Sequence, residues 1–381
     1  MGRQTVTIKL TYIVSHPIQY QAPLLCLISK EPKIELRVIF EKNPKKLGYY
    51  DPGFRRKVKW DFSLTRGYNN EYLYNTNLND EIMNADVLWL HGWSSPTLWN
   101  ALRIAKRMRV PVLMRGENCE TAMPDGYGLR GWLKRRYINW VLSHCSAFLA
   151  IGSDNRDYYL NRGIPSHKIF LTPYSIDNDK FISMSKAFEP MREEFKSSLG
   201  IDMDQKVILF VGKFIPRKCP DIIIKAFNDI DWKRNTKPAL IFVGDGEMEG
   251  ELRNLAPNAI FLGFRNQSEL AAVYNIADVL VLPSEREPWG LVVNEAMACG
   301  TAIVVSNEVG CAKDLLNNGC GKVFPCGDVL ALANSVTHCL ENSDPMGRIS
   351  QTIIKKWGFS EDVMGLKQAI NYIKFSNVDK T

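Results

Sequence analysis

The stretch VLVLPSEREPWGLVVNEAMACGTAI, residues 279–303, predicts a strand, a loop and a helix in direct succession. Residues 279–282 form a short apolar run rich in β-branched side chains, and Pro283 ends it, which is typical of a buried parallel strand. Residues 291–299 favour a helix, and Gly300 is predicted to end that helix. The stretch therefore predicts one strand-loop-helix unit of an α/β sheet.

Two glutamates flank the predicted start of this helix. Glu287 lies in the loop and Glu295 about one turn into the helix, with Gly290 between them. A glycine beside the first turn lets backbone N–H groups face an anion, which the helix dipole favours by about 0.3–1 kcal/mol per charge. Both carboxylates could accept hydrogen bonds from hydroxyl groups of the same ligand. A diphosphate between two hydroxyl-rich groups describes a nucleotide sugar, although this spacing alone leaves open that both glutamates simply face water.

Short apolar runs recur along both halves of the chain, separated by helical or loop segments. In the first half they occupy residues 8–14, 36–40, 87–90, 110–114 and 148–151. In the second half they occupy residues 207–211, 240–243, 259–262, 279–282 and 302–305. Alternation of this kind predicts parallel sheets covered on both faces. We expect an α/β protein of two doubly wound, Rossmann-like domains that face each other across a cleft, with ligands at the carboxyl ends of the strands.

Cations and glycines follow two other predicted strands of the second half. Gly212 and Lys213 come directly after the strand 207–211, and Lys218 lies five positions beyond Lys213. Fixed ammonium groups stabilise the charge that a leaving diphosphate gains, so we assign Lys213 and Lys218 to it. A solvated basic loop explains the same residues. Phe264 and Arg265 follow the strand 259–262 and are placed to meet a nucleobase.

Polar side chains also follow three strands of the first half. His16 comes after the first strand, His91 after the run 87–90, and Arg115 and Glu117 after the run 110–114. Each of these side chains is at a strand end where it could contact an acceptor or the phosphates of the donor. For each of them a structural hydrogen bond is an equally good explanation.

Composition bounds the function further. An apolar content of 45% and a charged content of 23% are those of a soluble globular protein, and no apolar run approaches the ~20 residues that span a bilayer. Nine cysteines without a C-x-x-C pair and five scattered histidines indicate neither a disulfide framework nor a metal site. The net charge of +7 is too small and too scattered for nucleic acid. We expect a cytoplasmic protein.

Residues 129–141 carry an apolar stripe at helical spacing beside several cations. The apolar positions are 129, 132, 133, 137, 140 and 141. One interpretation is peripheral contact with an anionic membrane surface. The other is a helix that faces the core and exposes a basic side.

With these residues assembled, the chain resembles the family 4 retaining glycosyltransferases of the GT-B architecture over nearly its whole length. The residues that carry the resemblance are Gly212, Lys213, Lys218, Val243 to Gly246, Phe261 to Gly263, Glu287 to Gly300, Val309, Gly310, Asp314 and Gly321. Two positions depart from the family pattern. The family more often has arginine where Lys213 stands, and it often has a histidine after the strand that here continues into Arg115.

The resemblance implies a role for each donor-side residue. Glu287 would contact hydroxyls of the donor sugar, and Glu295 would hold those of the ribose. Lys213 and Lys218 would hold the diphosphate, and we expect Glu287, Lys213 and Lys218 to be the catalytic residues. The backbone amides from Trp289 through Gly290 and Leu291 to Val292 would face sugar and phosphate. The resemblance further implies a reaction that retains the anomeric configuration and needs neither metal nor cofactor.

We accordingly expect an N-terminal domain over residues 1–182, a nucleotide-sugar-binding domain over 183–359, a crossover helix over about 360–374 and a disordered tail over 376–381. The expected donor is GDP-mannose or a UDP-hexose, and the expected acceptor is a glycan or a lipid-linked saccharide. Two other functions stay open at this point. They are a nucleotide-sugar epimerase of the same fold and a non-catalytic module that binds a nucleotide sugar.

Overall fold

The computed structural model describes residues 7–42, 50–51, 56–57, 62–232, 237–316 and 318–378. Its strands, numbered in chain order, are β1 Ile8–Val14, β2 Ile34–Phe40, β3 Tyr50–Asp51, β4 Arg56–Lys57, β5 Asn69–Tyr72, β6 Val87–His91, β7 Val112–Arg115, β8 Ala147–Ala150, β9 Ile169–Leu171, β10 Val207–Val211, β11 Ala239–Val243, β12 Ile260–Gly263, β13 Val279–Leu282, β14 Ala302–Ser306 and β15 Gly321–Phe324.

The helices are numbered in the same way. They are α1 Gln21–Ile28, α2 Leu78–Met83, α3 Pro96–Met108, α4 Gly128–Ser143, α5 Ser153–Asn161, α6 Asn178–Phe188, α7 Arg192–Ser198, α8 Pro220–Asp229, α9 Glu249–Leu255, α10 Gln267–Ile276, α11 Leu291–Cys299, α12 Ala312–Leu315, α13 Val329–Glu341, α14 Ser343–Ile354 and α15 Phe359–Val378. Short 3₁₀ turns occupy Leu73–Asn75, Ser166–Lys168, Glu189–Met191 and Pro216–Lys218.

The chain divides into two compact units. The first comprises Met1–Gly48, Phe62–Tyr174 and Phe359–Thr381, and the second comprises Tyr49–Asp61 and Ser175–Gly358. The boundary therefore falls before α6, earlier than the position 182/183 that the sequence suggested. Contacts of α6 with α10 and α11 explain the difference, because they attach α6 to the second unit.

The first unit is built on a parallel sheet with strand order β5-β2-β1-β6-β7-β8-β9. Alternate residues of β1 enter different cores, because successive side chains of a strand point to opposite faces. Leu10 and Tyr12 pack with apolar residues of α1 and α15, whereas Ile13 packs with those of α3 and α4. The sheet is thus covered by helices on both faces, as predicted.

The second unit repeats this plan with the strand order β12-β11-β10-β13-β14-β15, again all parallel. Phe210 of β10 and Val281 of β13 lie in a core that α8 and α13 close from one side. Helix α11 packs against α6, α10 and α14. The predicted fold class of two parallel α/β domains is confirmed.

Helix α15 belongs to the first unit, where it contacts β8 and β9. A Cβ atom on Gly365 would lie 1.8 Å from the Leu171 carbonyl oxygen, so the helix backbone packs directly on β9. The helix extends through Val378, which places residues 376–378 of the predicted disordered tail in a helix. Residues 379–381 lie outside the described residues.

Among the described residues, no helix combines the length and apolarity needed to cross a membrane.

A buried ion pair ties α15 to β7. The Arg115 guanidinium donates to Asp362 Oδ2 at 2.8 Å and to the Thr172 carbonyl at 3.2 Å. Both charged side chains are almost inaccessible, with 2% and 0% exposure. Burial raises the pKa of Asp362, and the charge and hydrogen bond of Arg115 oppose that rise. The pair fixes the position of α15 relative to β7, because a different position would leave each charge buried without its partner.

We predict that Asp362→Ala lowers the free energy of unfolding by about 3–5 kcal/mol, since it leaves the Arg115 charge buried and unpaired. Urea denaturation followed by circular dichroism measures the change. Lys367→Ala is the matched control on the same helix, because it removes an exposed ion pair with Glu31, and it should cost less than about 1 kcal/mol. Equal effects of the two variants would contradict the role assigned to Arg115 and Asp362.

Candidate functional site

The loop after β13 delivers the start of α11 to the carboxyl edge of the second sheet. Strand β13 is buried throughout, and α11 begins at Leu291 after Gly290, whose φ is 95°. A Cβ atom on Gly290 would lie 2.8 Å from Leu282 Cδ2 and 3.2 Å from Val309 Cγ1. Glycine is therefore required both for the left-handed backbone and for the space. This close packing fixes where the first N–H groups of the helix point.

Backbone hydrogen bonds brace the same loop from its other side. The Glu287 N–H donates to the Glu308 carbonyl at 3.1 Å, and the Gly310 N–H donates to the Glu287 carbonyl at 2.9 Å. A Cβ atom on Gly310 would come within 2.1 Å of the Pro288 carbonyl oxygen. Glu287 is thus held in a short parallel bridge with Val309. Its side chain starts from a fixed backbone rather than from a free loop.

The structure brings Glu287 and Lys218 together. The Lys218 ammonium forms an ion pair with Glu287 Oε2, and the two side chains are only 16% and 13% exposed. Lys218 ends the 3₁₀ turn after β10, the strand that neighbours β13. The Arg217 side chain also donates to the Arg286 carbonyl at 3.2 Å. Two residues predicted for catalysis therefore meet at the carboxyl ends of adjacent strands, at the start of α11.

Gly212 and Lys213 occupy the same edge, directly after β10. Two glycines of the neighbouring loop hold them there, a role that the sequence did not reveal. A Cβ atom on Gly244 would lie 1.8 Å from the Gly212 carbonyl oxygen, and one on Gly246 would lie 2.4 Å from that of Phe214. The G-D-G triplet after β11 therefore serves close packing of the loop that carries Lys213. Lys213 itself is half-buried.

Glu295 lies on α11 and is buried, with 7% exposure. Burial raises its pKa to about 7, although hydrogen bonds from Tyr274 and Gln267 act in the opposite direction. The Tyr274 hydroxyl donates to Glu295 Oε2 at 2.8 Å and orients the carboxyl group. Tyr274 was not identified from the sequence, since it is one more large residue in an apolar helical stripe. Near neutral pH this carboxyl group can both donate and accept hydrogen bonds.

Trp289 contributes its backbone to the loop and its side chain to the core. The indole is 2% exposed, lies against the Trp357 ring with centroids 5.5 Å apart and planes tilted by 35°, and donates to Asn294 Oδ1 at 2.9 Å. The side chain therefore anchors the loop to the second unit. Leu291 and Val292, the first two residues of α11, are half-buried. Contact of the backbone amides at these positions with a donor stays a prediction.

Phe264 and Arg265 follow β12, which β11 and β10 separate from β13 in the sheet. Phe264 is half-buried, and Arg265 forms an exposed ion pair with Glu269 at 2.7 Å. Glu269 also completes a capping box with Asn266 at the start of α10. Both residues lie at the carboxyl edge, as predicted. Their contact with a nucleobase stays a prediction.

In the first unit, a hydrogen-bonded cluster surrounds His91 and Glu117. His91 Nδ1 lies 2.7 Å from the Tyr12 hydroxyl, and His91 Nε2 lies 3.9 Å from Glu117 Oε1. The hydroxyls of Tyr20 and Tyr174 donate to Glu117 Oε1, and burial raises the pKa of both. Burial acts to raise the pKa of Glu117, but the nearby His91 ring and the two tyrosine donors outweigh it, so the pKa of Glu117 lies below its ordinary value.

The other two first-unit candidates are placed differently. His16 is half-buried, with its Nδ1 2.8 Å from Ser15 Oγ, and burial together with the charges of Lys42 and His91 lowers its pKa. Arg115 does not face solvent, because its guanidinium is committed to Asp362 and Thr172. The assignment of Arg115 to the acceptor side is therefore corrected to a structural role. His16, His91 and Glu117 stay predictions for that side.

A comparison with protein families matches residues 191–356, which contain all of the donor-side candidates, to the family described as glycosyl transferases group 1. An uncharacterised glycosyltransferase of Methanocaldococcus jannaschii is 32% identical over 188 residues, covering 48% of this chain and 44% of that protein. A D-inositol 3-phosphate glycosyltransferase of Kineococcus radiotolerans is 28% identical over 180 residues, covering 42% and 39%. The chain thus spans less than half the length of these relatives.

Solved structures resemble the chain over nearly its full length. HepE of Anabaena, in complex with UDP, aligns with a TM-score of 0.72 at 16% identity, covering 96% of this chain and 100% of that one. Sucrose-phosphate synthase of Thermosynechococcus elongatus aligns with a TM-score of 0.69 at 17% identity, covering 97% and 100%. At this identity the likeness establishes the fold, which is the GT-B fold of glycosyltransferase structures.

The raised pKa of Glu295 predicts a pH-dependent stability. A carboxyl group whose folded pKa lies above its unfolded value stabilises the protein at low pH and loses this contribution as the pH rises through the folded value. With a folded pKa of about 7, the free energy of unfolding should fall by roughly 2 kcal/mol between about pH 5.5 and about pH 8.5 from this group. Glu295→Gln should remove that decrease.

Urea denaturation of the wild-type protein and the variant at the two pH values measures this difference. Glu285→Gln serves as the control, because Glu285 is an exposed glutamate in the loop before α11. It should retain the wild-type dependence on pH. If Glu295→Gln retained it too, the raised pKa assigned to the buried Glu295 carboxyl group would be refuted.

Proposed function

We propose that this protein is a glycosyltransferase that moves a hexose from a nucleotide-diphosphate sugar to a hydroxyl group of a glycan or a lipid-linked saccharide. The observation that carries the proposal is the convergence of Glu287, Lys218 and the start of α11 at one sheet edge, with the buried Glu295 on the same helix. The match of residues 191–356 to the group 1 glycosyl transferases supports it.

The start of α11 suits a diphosphate. The helix dipole and the first N–H groups attract an anion, and Lys218 adds a full positive charge beside them. Before a donor binds, Glu287 neutralises that ammonium group. We infer that the bound diphosphate replaces Glu287 as the partner of the Lys218 ammonium group. The Glu287 carboxylate can then accept hydrogen bonds from the sugar hydroxyls. Glu295 then holds the ribose hydroxyls from within the helix.

We favour a UDP-hexose as the donor over GDP-mannose. Structures of HepE hold UDP, UDP with glucose, and UDP-glucose, and that protein has the same fold. In this chain Gly263, Phe264 and Arg265 would meet the base at the end of β12. His16, His91 and Glu117 of the first unit are our candidates for contacts with the acceptor.

The proposed reaction retains the anomeric configuration and uses no metal ion. The acceptor hydroxyl attacks the anomeric carbon on the face from which the diphosphate departs. The bond between that carbon and the diphosphate oxygen breaks, its electron pair stays on the oxygen, and the departing diphosphate takes the acceptor proton. Lys213 and Lys218 stabilise the growing negative charge, because fixed cations in a low-dielectric site are most effective in the transition state.

We predict that Lys218→Ala lowers kcat by about 10²-fold and changes the donor Kd by less than about tenfold, since the charge that Lys218 stabilises grows mainly in the transition state. Steady-state kinetics and calorimetry measure the two quantities. The matched control is Lys225→Ala, which removes an exposed lysine of α8 that pairs with Asp221 and should change neither quantity. Equal, small losses for Lys218→Ala would contradict this role.

The function itself is tested by titrating the protein with UDP-, GDP- and ADP-sugars and then determining the product anomer by NMR. We expect tight binding of one UDP-hexose, transfer in the presence of EDTA, and an α-linked product from an α-linked donor. An epimerised donor in the absence of acceptor would indicate an epimerase instead. Donor binding without turnover over a panel of acceptors would indicate a binding module.

A further inference from the structure

Helix α4 in the first unit exposes most of its apolar side chains. Of the six positions in its apolar stripe, Val141 alone is buried. The exposed fractions of the others are 71% for Leu129, 47% for Trp132, 52% for Leu133, 38% for Tyr137 and 37% for Trp140. Tyr127, just before the helix, is fully exposed. The interpretation of this stripe as a core-facing surface is therefore wrong.

The exposed aromatic rings continue onto the neighbouring helix α3. The Trp99 and Trp140 rings have centroids 6.3 Å apart, and Tyr137 stacks beside Trp140 at 6.4 Å. Arg103 lies 4.6 Å above the Trp99 ring, and Arg136 lies 5.0 Å above Trp132. The aromatic-basic face, as we name it, consists of Trp99, Arg103, Tyr127, Leu129, Arg130, Trp132, Leu133, Arg135, Arg136, Tyr137 and Trp140.

The charge of this face has one sign. Neither α3 nor α4 contains an aspartate or a glutamate. The acidic residues nearest in sequence to the start of α4 are Glu120 and Asp125, and both are bound by the Arg162 guanidinium, at 2.5 and 2.7 Å. The cations of α4 are therefore not neutralised by acidic side chains of their own helix or of α3.

We propose that the aromatic-basic face docks the protein on a lipid bilayer that contains anionic headgroups. Tryptophan and tyrosine favour the boundary between headgroups and acyl chains, where one part of the ring is apolar and the other is wet. Basic residues next to them gain affinity from anionic lipid. A contiguous patch of exposed apolar side chains marks a surface that binds a partner. Because the charged side chains of this face are all basic, they favour a partner with negative charge.

Sedimentation of the full chain with vesicles tests this proposal. We expect binding to vesicles of phosphatidylglycerol and phosphatidylcholine at low salt, at least about tenfold weaker binding to phosphatidylcholine alone, and weakening with added salt. Arg135→Glu combined with Arg136→Glu should reduce the partition coefficient by at least about tenfold. Lys355→Glu combined with Lys356→Glu, which reverses two exposed cations of the second unit, should leave it nearly unchanged.

A second pair of variants tests the apolar part. Leu129→Ser with Leu133→Ser should also reduce the partition coefficient about tenfold, whereas Met203→Ser with Leu330→Ser, at exposed positions in the second unit, should not. Equal losses from the two charge-reversal variants, or no binding at low salt, would overturn the proposal.

A change in oligomeric state provides a further criterion. Sedimentation velocity of the wild-type protein should show no self-association that depends on this face. A dimer that Leu129→Ser with Leu133→Ser dissociates would assign the face to a second copy of the chain and would also overturn the proposal. These measurements do not involve sugar transfer, so the proposed function can fail while the membrane contact stands.

Discussion

The proposed donor site depends on close packing at Gly290 and Gly310. Each of these positions leaves no room for a Cβ atom, and the two glycines clamp the segment from Glu287 to the start of α11 between β13 and the loop after β14. The clamp combines a main-chain contact of Gly310 with contacts of Gly290 against the buried side chains of Leu282 and Val309, so it sets the direction of α11 independently of any ligand. The side chains that we propose for donor binding are attached to this fixed segment, which would reduce the ordering that binding requires.

Charge compensation completes this arrangement. Lys218 and Glu287 neutralise each other with little exposure, whereas Glu295 avoids the cost of a buried charge by a raised pKa. Two carboxyl groups eight positions apart are thus accommodated in different ways. The Glu287 carboxylate is paired with the Lys218 ammonium group at the sheet edge, and the Glu295 carboxyl group is buried within α11 and its packed neighbours.

Sequence patterns predicted the central strands and the loop before α11 because the physical causes are local there. The bounds of β1, β10 and β13 and of α11 agree with those inferred from apolar runs and glycine positions. The strands β5, β9 and β15 were missed. All three lie at sheet edges, where strands are short or half-exposed and lack a continuous apolar run. Arg115 was misassigned for another reason, since its partner Asp362 lies 247 positions away and no local pattern encodes such a contact.

The tie between Arg115 and Asp362 also has a consequence during synthesis on the ribosome. Chains emerge from the amino terminus, so the first sheet is complete long before α15 appears. Until then the guanidinium lacks its carboxylate, and the apolar surface that Val363, Leu366 and Ile370 later cover stays open to water. The first unit can therefore reach its native state only after the second unit has been translated.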